Sequence, residues 1–337
     1  MKVLLISNKY AVSAEPLRKA FMALGCQVRT VDYWDHPLLM PHGSLQRLIG
    51  KLPLAISTPL RNNAQKKIDK TIWKTAQEFQ PDLIFATKAK SLSHELLEML
   101  RTIGTTANWY SETMDHWDRI KQTAPQYDFF FNFDPYVVER MKAEGNANVY
   151  YLPFCADVAK DTQWEQPQPK YNVTFVGSFL APRYNEREIV LNEIKDLGLH
   201  VWGNKAWEKT TIASHYHGWL SNYEDVAQVY RHSKIVINIH LPDVSGSGIN
   251  FRPFEVAAAG ALLINHSSRR DIFNVYEAGK EFISFDGSGD IREKVAYYLI
   301  HDQERTTIAR AGFERTRRDH TYIDRAQQVL NIVRAHK

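Results

Sequence analysis

Ser245-Gly246-Ser247-Gly248-Ile249-Asn250-Phe251-Arg252-Pro253-Phe254-Glu255-Val256-Ala257-Ala258-Ala259-Gly260 is the stretch that says most about this chain. It follows an apolar, β-branched run at 235–239 that reads as a buried strand. Pro253 suits the first position of a helix, and Gly260 suits its end. The segment is therefore a strand, a glycine-rich turn and a helix start. Such a turn presents unpaired N–H groups and the positive end of a helix dipole, a combination that favours phosphate. Gly246, Ser247, Gly248 and Asn250 are thus candidate donor-binding positions. Arg252 adds a planar charged fork that matches diphosphate oxygens. Glu255 in the first turn has the chemistry to accept hydrogen bonds from two ribose hydroxyls, although the dipole alone also favours an acid there.

The same rhythm extends in both directions. Strands are expected at 3–7, 27–31, 82–86, 105–109 and 127–132, then at 172–176, 199–202, 235–239 and 261–264. Helices are expected between them at 15–24, 62–79, 91–101 and 135–143, then at 186–197, 223–231 and 253–259. The last ~35 residues read as wholly helical. This alternation predicts α/β architecture with parallel sheets covered by helices. Pro153, Pro167 and Pro169 interrupt it. The expected organisation is a first domain at 1–153, a linker at 154–170 and a second domain at 171–320. Ligands of doubly wound sheets bind beyond the carboxyl ends of the strands, so two such domains facing each other imply an interdomain cleft.

A second signal is Val173-Thr174-Phe175-Val176-Gly177-Ser178-Phe179-Leu180-Ala181-Pro182-Arg183. Gly177 and Ser178 end a strand where a ligand can approach the backbone closely, and Arg183 follows in position to meet phosphate. Trp202-Gly203-Asn204 and Gly218-Trp219-Leu220 also fall at expected strand ends. They suit either a base or sugar pocket or a packed core.

The order Phe175-Val176-Gly177-Ser178…Arg183, Trp202-Gly203 and Asn250-Phe251-Arg252-Pro253-Phe254-Glu255…Gly260 resembles the CgeB-like glycosyltransferases, relatives of the family-4 glycosyltransferases, over about residues 170–320. The resemblance implies the GT-B fold, with two Rossmann-like domains. The nucleotide-sugar would bind the second and the acceptor mostly the first, and a final helix, about 321–337, would pack back on the first. It implies sugar transfer from a nucleoside-diphosphate sugar, uridine slightly preferred, with no cofactor. The wider family carries two glutamates eight residues apart. Here the second matches Glu255 and the first falls on Ser247, which leaves the transferred sugar open.

Asn108-Trp109-Tyr110-Ser111-Glu112-Thr113-Met114-Asp115-His116-Trp117-Asp118 follows the expected strand at 105–109. Indoles stack on sugars, and a carboxylate or imidazole accepts an acceptor's proton. Asp115 is the first candidate for the base, since the family often carries an acid in this loop; His116 and Glu112 come next. Ser7-Asn8-Lys9-Tyr10 lacks glycine, so a dinucleotide fingerprint is not supported there. No D-x-D triplet occurs, so metal-bound diphosphate is not indicated; arginines and a helix N-terminus would suffice. His215-Tyr216-His217 offers two imidazoles, short of the three or four ligands of a zinc site.

The stretch at 36–60 carries Leu38, Leu39, Met40, Leu45, Leu48, Ile49, Leu52 and Leu54, with Arg47 and Lys51 and no acid. It fits a packed helical hairpin, an acceptor flap or a peripheral membrane contact. The whole chain has 337 residues, enough for about two domains. Lys plus Arg is 42 and Asp plus Glu 38, a mild net charge of +4 that does not demand nucleic acid. Two cysteines exclude a disulfide framework. The first apolar run is too short for a signal peptide, and no run approaches the ~20 residues of a membrane span, so the expected location is the cytoplasm. Expected partners are a nucleotide-sugar donor and an acceptor saccharide, lipid-linked glycan or small molecule. A non-catalytic nucleotide-sugar-binding module, a nucleic-acid-binding protein (including a DNA-base glycosyltransferase) and an epimerase on the same fold stay open at this level.

Overall fold

The computed structural model describes all residues except 10, 41–43, 90–91, 166, 181–184, 243–244 and 337. The chain divides into two compact units, Met1–Leu152 with Arg325–Lys337, and Pro153–Asp324.

The first unit runs β1 (Lys2–Ser7), α1 (Ala14–Ala23), β2 (Gln27–Asp32), α2 (Ser44–Ile49), α3 (Leu54–Phe79), β3 (Leu83–Thr87), α4 (His94–Arg101), β4 (Thr105–Tyr110), α5 (Trp117–Thr123), β5 (Phe129–Asn132), α6 (Pro135–Ala143) and β6 (Val149–Tyr151). Its sheet is parallel, in the order β2-β1-β3-β4-β5-β6. Val3, Leu4, Leu5 and Ile6 are wholly buried, as expected of a parallel strand covered on both faces. Ser93 and Asp134 cap α4 and α6 by accepting from the amides of Leu96 and Tyr136. The helix expected at 62–79 begins earlier, at Leu54, and carries Pro59 inside it. Proline normally reads as a helix break, which is why the sequence understates this helix.

The second unit runs β7 (Tyr171–Val176), α7 (Asn185–Asn192), β8 (Leu199–Trp202), α8 (Tyr223–Arg231), β9 (Ser233–Asn238), α9 (Arg252–Ala259), β10 (Leu262–His266), α10 (Ile272–Val275), β11 (Ile283–Phe285), α11 (Ser288–Ile300) and α12 (Asp302–Asp319). Its sheet is also parallel, in the order β11-β10-β9-β7-β8. Its core gathers Val173, Phe175, Leu191, Val201, Trp207, Ile235, Ile237, Leu262 and Ile264. The helix expected at 186–197 stops at Asn192, and a short 3₁₀ turn at Lys195–Leu197 ends on Gly198 at φ 79°.

The terminal residues are not one helix. α12 gives way to α13 (Tyr322–Ala335) at Thr321, whose amide and hydroxyl both donate to the Asp324 carboxylate. Along α13, Ala326, Val329, Leu330 and Val333 form a buried stripe. Gln328 Nε2 donates to the Tyr151 carbonyl at 3.1 Å within the first unit.

Candidate active site

The strand order of the second sheet reverses between β7 and β9, and the crevice at such a switch point is where open α/β sheets bind ligands. Gly177 and Ser178 follow β7. A Cβ on Gly203, after β8, would lie 2.1 Å from the Gly177 carbonyl oxygen. Only glycine permits that approach. The Gly177 amide donates to the Trp202 carbonyl at 2.9 Å, and Trp207 Nε1 donates to the Gly177 carbonyl at 2.8 Å. Arg187, a buried residue of α7, donates to the carbonyls of Ser178 (2.6 Å) and Ile239 (2.9 Å). Its guanidinium therefore ties together the loops after β7 and β9. No sequence pattern distinguished it from an ordinary helix-surface arginine.

The glycine-rich loop leads into α9, with Gly246 and Gly248 at positive φ (62° and 76°). Pro253 lies in the first turn of α9, and Gly260 ends it at φ 80°. The loop's donors are more fully used than the sequence suggests. Ser247 Oγ and the Gly248 amide both donate to Asp271 Oδ2, at 2.9 and 2.5 Å. The Arg252 amide donates to Asn250 Oδ1 at 3.2 Å. Arg269 is buried and donates to the carbonyls of Ser247 (2.8 Å) and Leu241 (2.5 Å). Asn250 is held by Asn238, which also donates to Asn265 at 2.6 Å. This polar ladder crosses the carboxyl ends of β9 and β10.

Arg252 is half-buried, and its Nε makes a long contact of 3.4 Å to the Val176 carbonyl. The carboxyl edge of the sheet thus collects Arg187, Arg252 and Arg269. The field is visible on His240, which is buried after β9. Burial first, then Arg269, Arg187 and His266, push its pKa down to about 3, against an opposing hydrogen bond from Asn265. It stays neutral at physiological pH beside a cationic cluster. Arg183 lies at 181–184, outside the described residues.

Glu255 is half-buried in the first turn of α9 and lines a cavity of about 210 Å³ with Asp157, Tyr223, Arg231 and Phe313. Burial raises its pKa, and Arg252 partly offsets the rise. Among the described residues the buried Tyr230 hydroxyl makes no hydrogen bond of good geometry, yet it acts electrostatically on Arg252. Burial lowers the Arg252 pKa, and the opposing effects of Tyr230 and Glu255 leave it raised on balance.

In the first unit the strand order reverses between β1 and β3. Thr87 Oγ1 donates to Ser7 Oγ across this point at 2.8 Å. Lys88 and Ala89 follow at φ 61° and 30°, a left-handed conformation costly for both. Glu112, after β4, is buried. One of its oxygens meets Lys88 Nζ at 2.9 Å and the other meets His116 Nδ1 at 3.2 Å. Asn132, at the end of β5, fixes this loop by donating to the carbonyls of Tyr110 and Glu112. Asp115 is exposed in a 3₁₀ turn. Sequence reasoning therefore located the loop, but not Lys88 and Asn132, which shape it.

His217 pairs with His200 at 2.7 Å, and both rings stack near Trp202. Among the described residues no group of three or more His, Cys, Asp or Glu side chains is placed to hold a metal ion.

Residues 185–331 match the model of a family described as glycosyl transferase-like. The spore protein CgeB of Bacillus subtilis (strain 168) is 23% identical over 262 residues, covering 71% of this chain and 79% of CgeB. Anabaena Alr3699/HepE in complex with UDP and glucose superimposes with a TM-score of 0.62 at 11% identity, over 99% of this chain and 100% of that one. The sucrose-phosphate synthase of Thermosynechococcus elongatus does so with a TM-score of 0.64 at 12% identity, over 99% and 98%.

Proposed function

We propose that this chain, a CgeB-like glycosyltransferase of the GT-B fold, transfers a sugar from a nucleoside-diphosphate sugar to an acceptor hydroxyl without a metal ion. The observation that carries this reading is the convergence of Arg187, Arg252 and Arg269 on the switch point of the second sheet, beside the start of α9. Guanidinium groups and a helix N-terminus neutralise a leaving diphosphate where a metal would otherwise do so. Arg252 is the residue we assign to the diphosphate itself. Arg187 and Arg269 hold the loops and supply field. Glu255 is assigned to the ribose hydroxyls. Gly177 at the end of β7 is required by the Phe175 ring, 2.8 Å from where a Cβ would lie. UDP-sugars are the first donors to test, since HepE binds UDP and glucose.

The acceptor side is assigned to the carboxyl edge of the first sheet. The acceptor oxygen attacks the anomeric carbon, the bond from that carbon to the diphosphate oxygen breaks, and the diphosphate leaves with the electron pair. Glu112 holds His116 by Nδ1, which orients Nε2 to take the acceptor's proton in an inverting reaction. His116 therefore precedes Asp115 as candidate base. The acceptor is a saccharide, a lipid-linked glycan or a small molecule. Two buried free cysteines, Cys26 and Cys155, suit a reducing compartment, and we assign the enzyme to the cytoplasm.

The test is a thermal-shift screen of UDP, GDP, ADP and TDP sugars with and without EDTA. A ligand bound only by the folded chain raises its melting temperature by mass action. Stabilisation by one nucleotide class, with release of nucleoside diphosphate that survives EDTA, is expected. Release abolished by EDTA would overturn the metal-free reading, and stabilisation by none would overturn the donor assignment.

A further inference from the structure

We propose that the α2–α3 segment of the first unit is a docking surface for an anionic lipid bilayer. Six of the exposed large apolar residues fall in one short segment: Leu45, Leu48, Leu52, Leu54, Ile56 and Leu60. Leu54 is 79% exposed and Leu48 60%. Exposed leucines elsewhere are scattered and need no account, but a cluster marks an interaction site. In α2 only Ile49 is buried. From Leu54 to Asn63 only Ser57 is buried, so the first turns of α3 are uncovered on nearly every side. The buried side chains Ala64, Ile68, Ile72, Ala76 and Phe79 anchor the rest of that 26-residue helix, about 39 Å long.

The charge on this segment is of one sign. Between Asp35 and Asp69 there is no acidic residue, while Arg47, Lys51, Arg61, Lys66 and Lys67 are present and exposed. A second copy of the same surface would set these cations against each other. Nucleic acid would pair with the cations but leave the leucines in water. An anionic bilayer answers both features. Leucines enter the boundary between headgroups and acyl chains, and the basic side chains meet lipid phosphates. No described helix is long and apolar enough to cross a membrane, so the contact is peripheral.

The experiment is flotation of the full chain with vesicles of phosphatidylcholine alone and of phosphatidylcholine mixed with phosphatidylglycerol. Binding to the mixed vesicles only, released by about 0.5 M salt through screening, is expected. The Leu48→Asp/Leu54→Asp/Ile56→Asp variant should lose it. Each of Lys51→Gln, Arg61→Gln and Lys66→Gln should weaken it about fivefold. All these side chains are exposed, so an unchanged melting temperature confirms that the variants fold. Four outcomes overturn the proposal: no binding to either vesicle, equal binding to both, undiminished binding of a folded leucine variant, or a wild-type dimer that the leucine variant converts to monomer.

Discussion

The substitution Arg252→Ala separates chemistry from architecture in the second unit. Arg252 stands at the start of α9 beside Glu255, whose pKa burial raises and Arg252 lowers. On our reading the guanidinium stabilises charge on the departing diphosphate. Losing one such group costs roughly 10²–10³ in turnover, by analogy with the removal of an oxyanion donor. The stability cost has a different origin. Without Arg252, the Glu255 carboxylate keeps its desolvation and loses the positive charge that offsets it, so its folded-state pKa rises further. The folded state then holds the Glu255 proton more tightly than the unfolded chain does. The variant is therefore least affected below the ordinary carboxylate pKa, and loses stability as pH rises through the folded-state pKa. At pH 8 the loss should be about 1–3 kcal/mol, which is a fall of ~2–4 °C per kcal/mol for a unit of this size. It should shrink on acidification. The double substitution Arg252→Ala/Glu255→Gln removes the stranded charge, so it should recover the melting temperature while transfer stays lost. Melting curves from pH 4 to 8 and a nucleoside-diphosphate release assay read both effects. Wild-type turnover in Arg252→Ala would refute the diphosphate assignment. A loss of stability that is flat with pH would refute the coupling to Glu255.

On our reading Glu255 binds both ribose hydroxyls as the carboxylate, whose acceptor capacity protonation reduces, so nucleotide affinity should fall on acidification at a pH above the ordinary carboxylate value; Glu255→Gln should flatten that profile in calorimetric titrations. His116→Ala and Glu112→Gln should lower turnover by roughly 10²–10⁴ and leave nucleotide affinity unchanged; a variant with full turnover points instead to retention assisted by the leaving phosphate. Gly203→Ala would place a methyl 2.1 Å from the Gly177 carbonyl oxygen and 2.8 Å from Trp207 Nε1, so a loss of about 1–3 kcal/mol or more is expected in denaturant melts.

The parts of this molecule that read well from sequence are those where local pattern and tertiary structure agree. The helix Pro135–Ala143 and the strand Leu199–Trp202 fall where periodicity places them. The turn residues of α9 act in their expected roles, with Pro253 in the first turn and Gly260 at the end. The strands Val149–Tyr151 and Ile283–Phe285 did not read, because three residues carry no period. In the candidate site, the glycines, Arg252 and Glu255 stand together as expected because they share one strand, turn and helix. Arg187, Arg269, Asp271, Lys88 and Asn132 were not. Each acts on a loop distant in sequence, such as Arg187 on Ile239 or Lys88 on Glu112, and only the strand order brings those loops together.

Asp271 alters how anion binding here must be understood. A glycine turn ahead of a helix binds phosphate with open amides. In this chain an internal carboxylate already takes the Gly248 amide and the Ser247 hydroxyl, and the Asn250 side chain takes the Arg252 amide. The loop is therefore set in shape before any ligand arrives, and less of its hydrogen-bonding capacity is left for phosphate. On our reading, attraction for the diphosphate then falls more heavily on the guanidinium of Arg252 and on the positive field of Arg269 and Arg187, which adds to burial in lowering the His240 pKa. Lysine cannot reproduce a planar fork, so the dependence on arginine at 252 that we propose follows from how the loop has used its own amides. The same carboxylate ties Ser247 to the protein. On our reading, contacts to the transferred sugar therefore come from elsewhere on this edge.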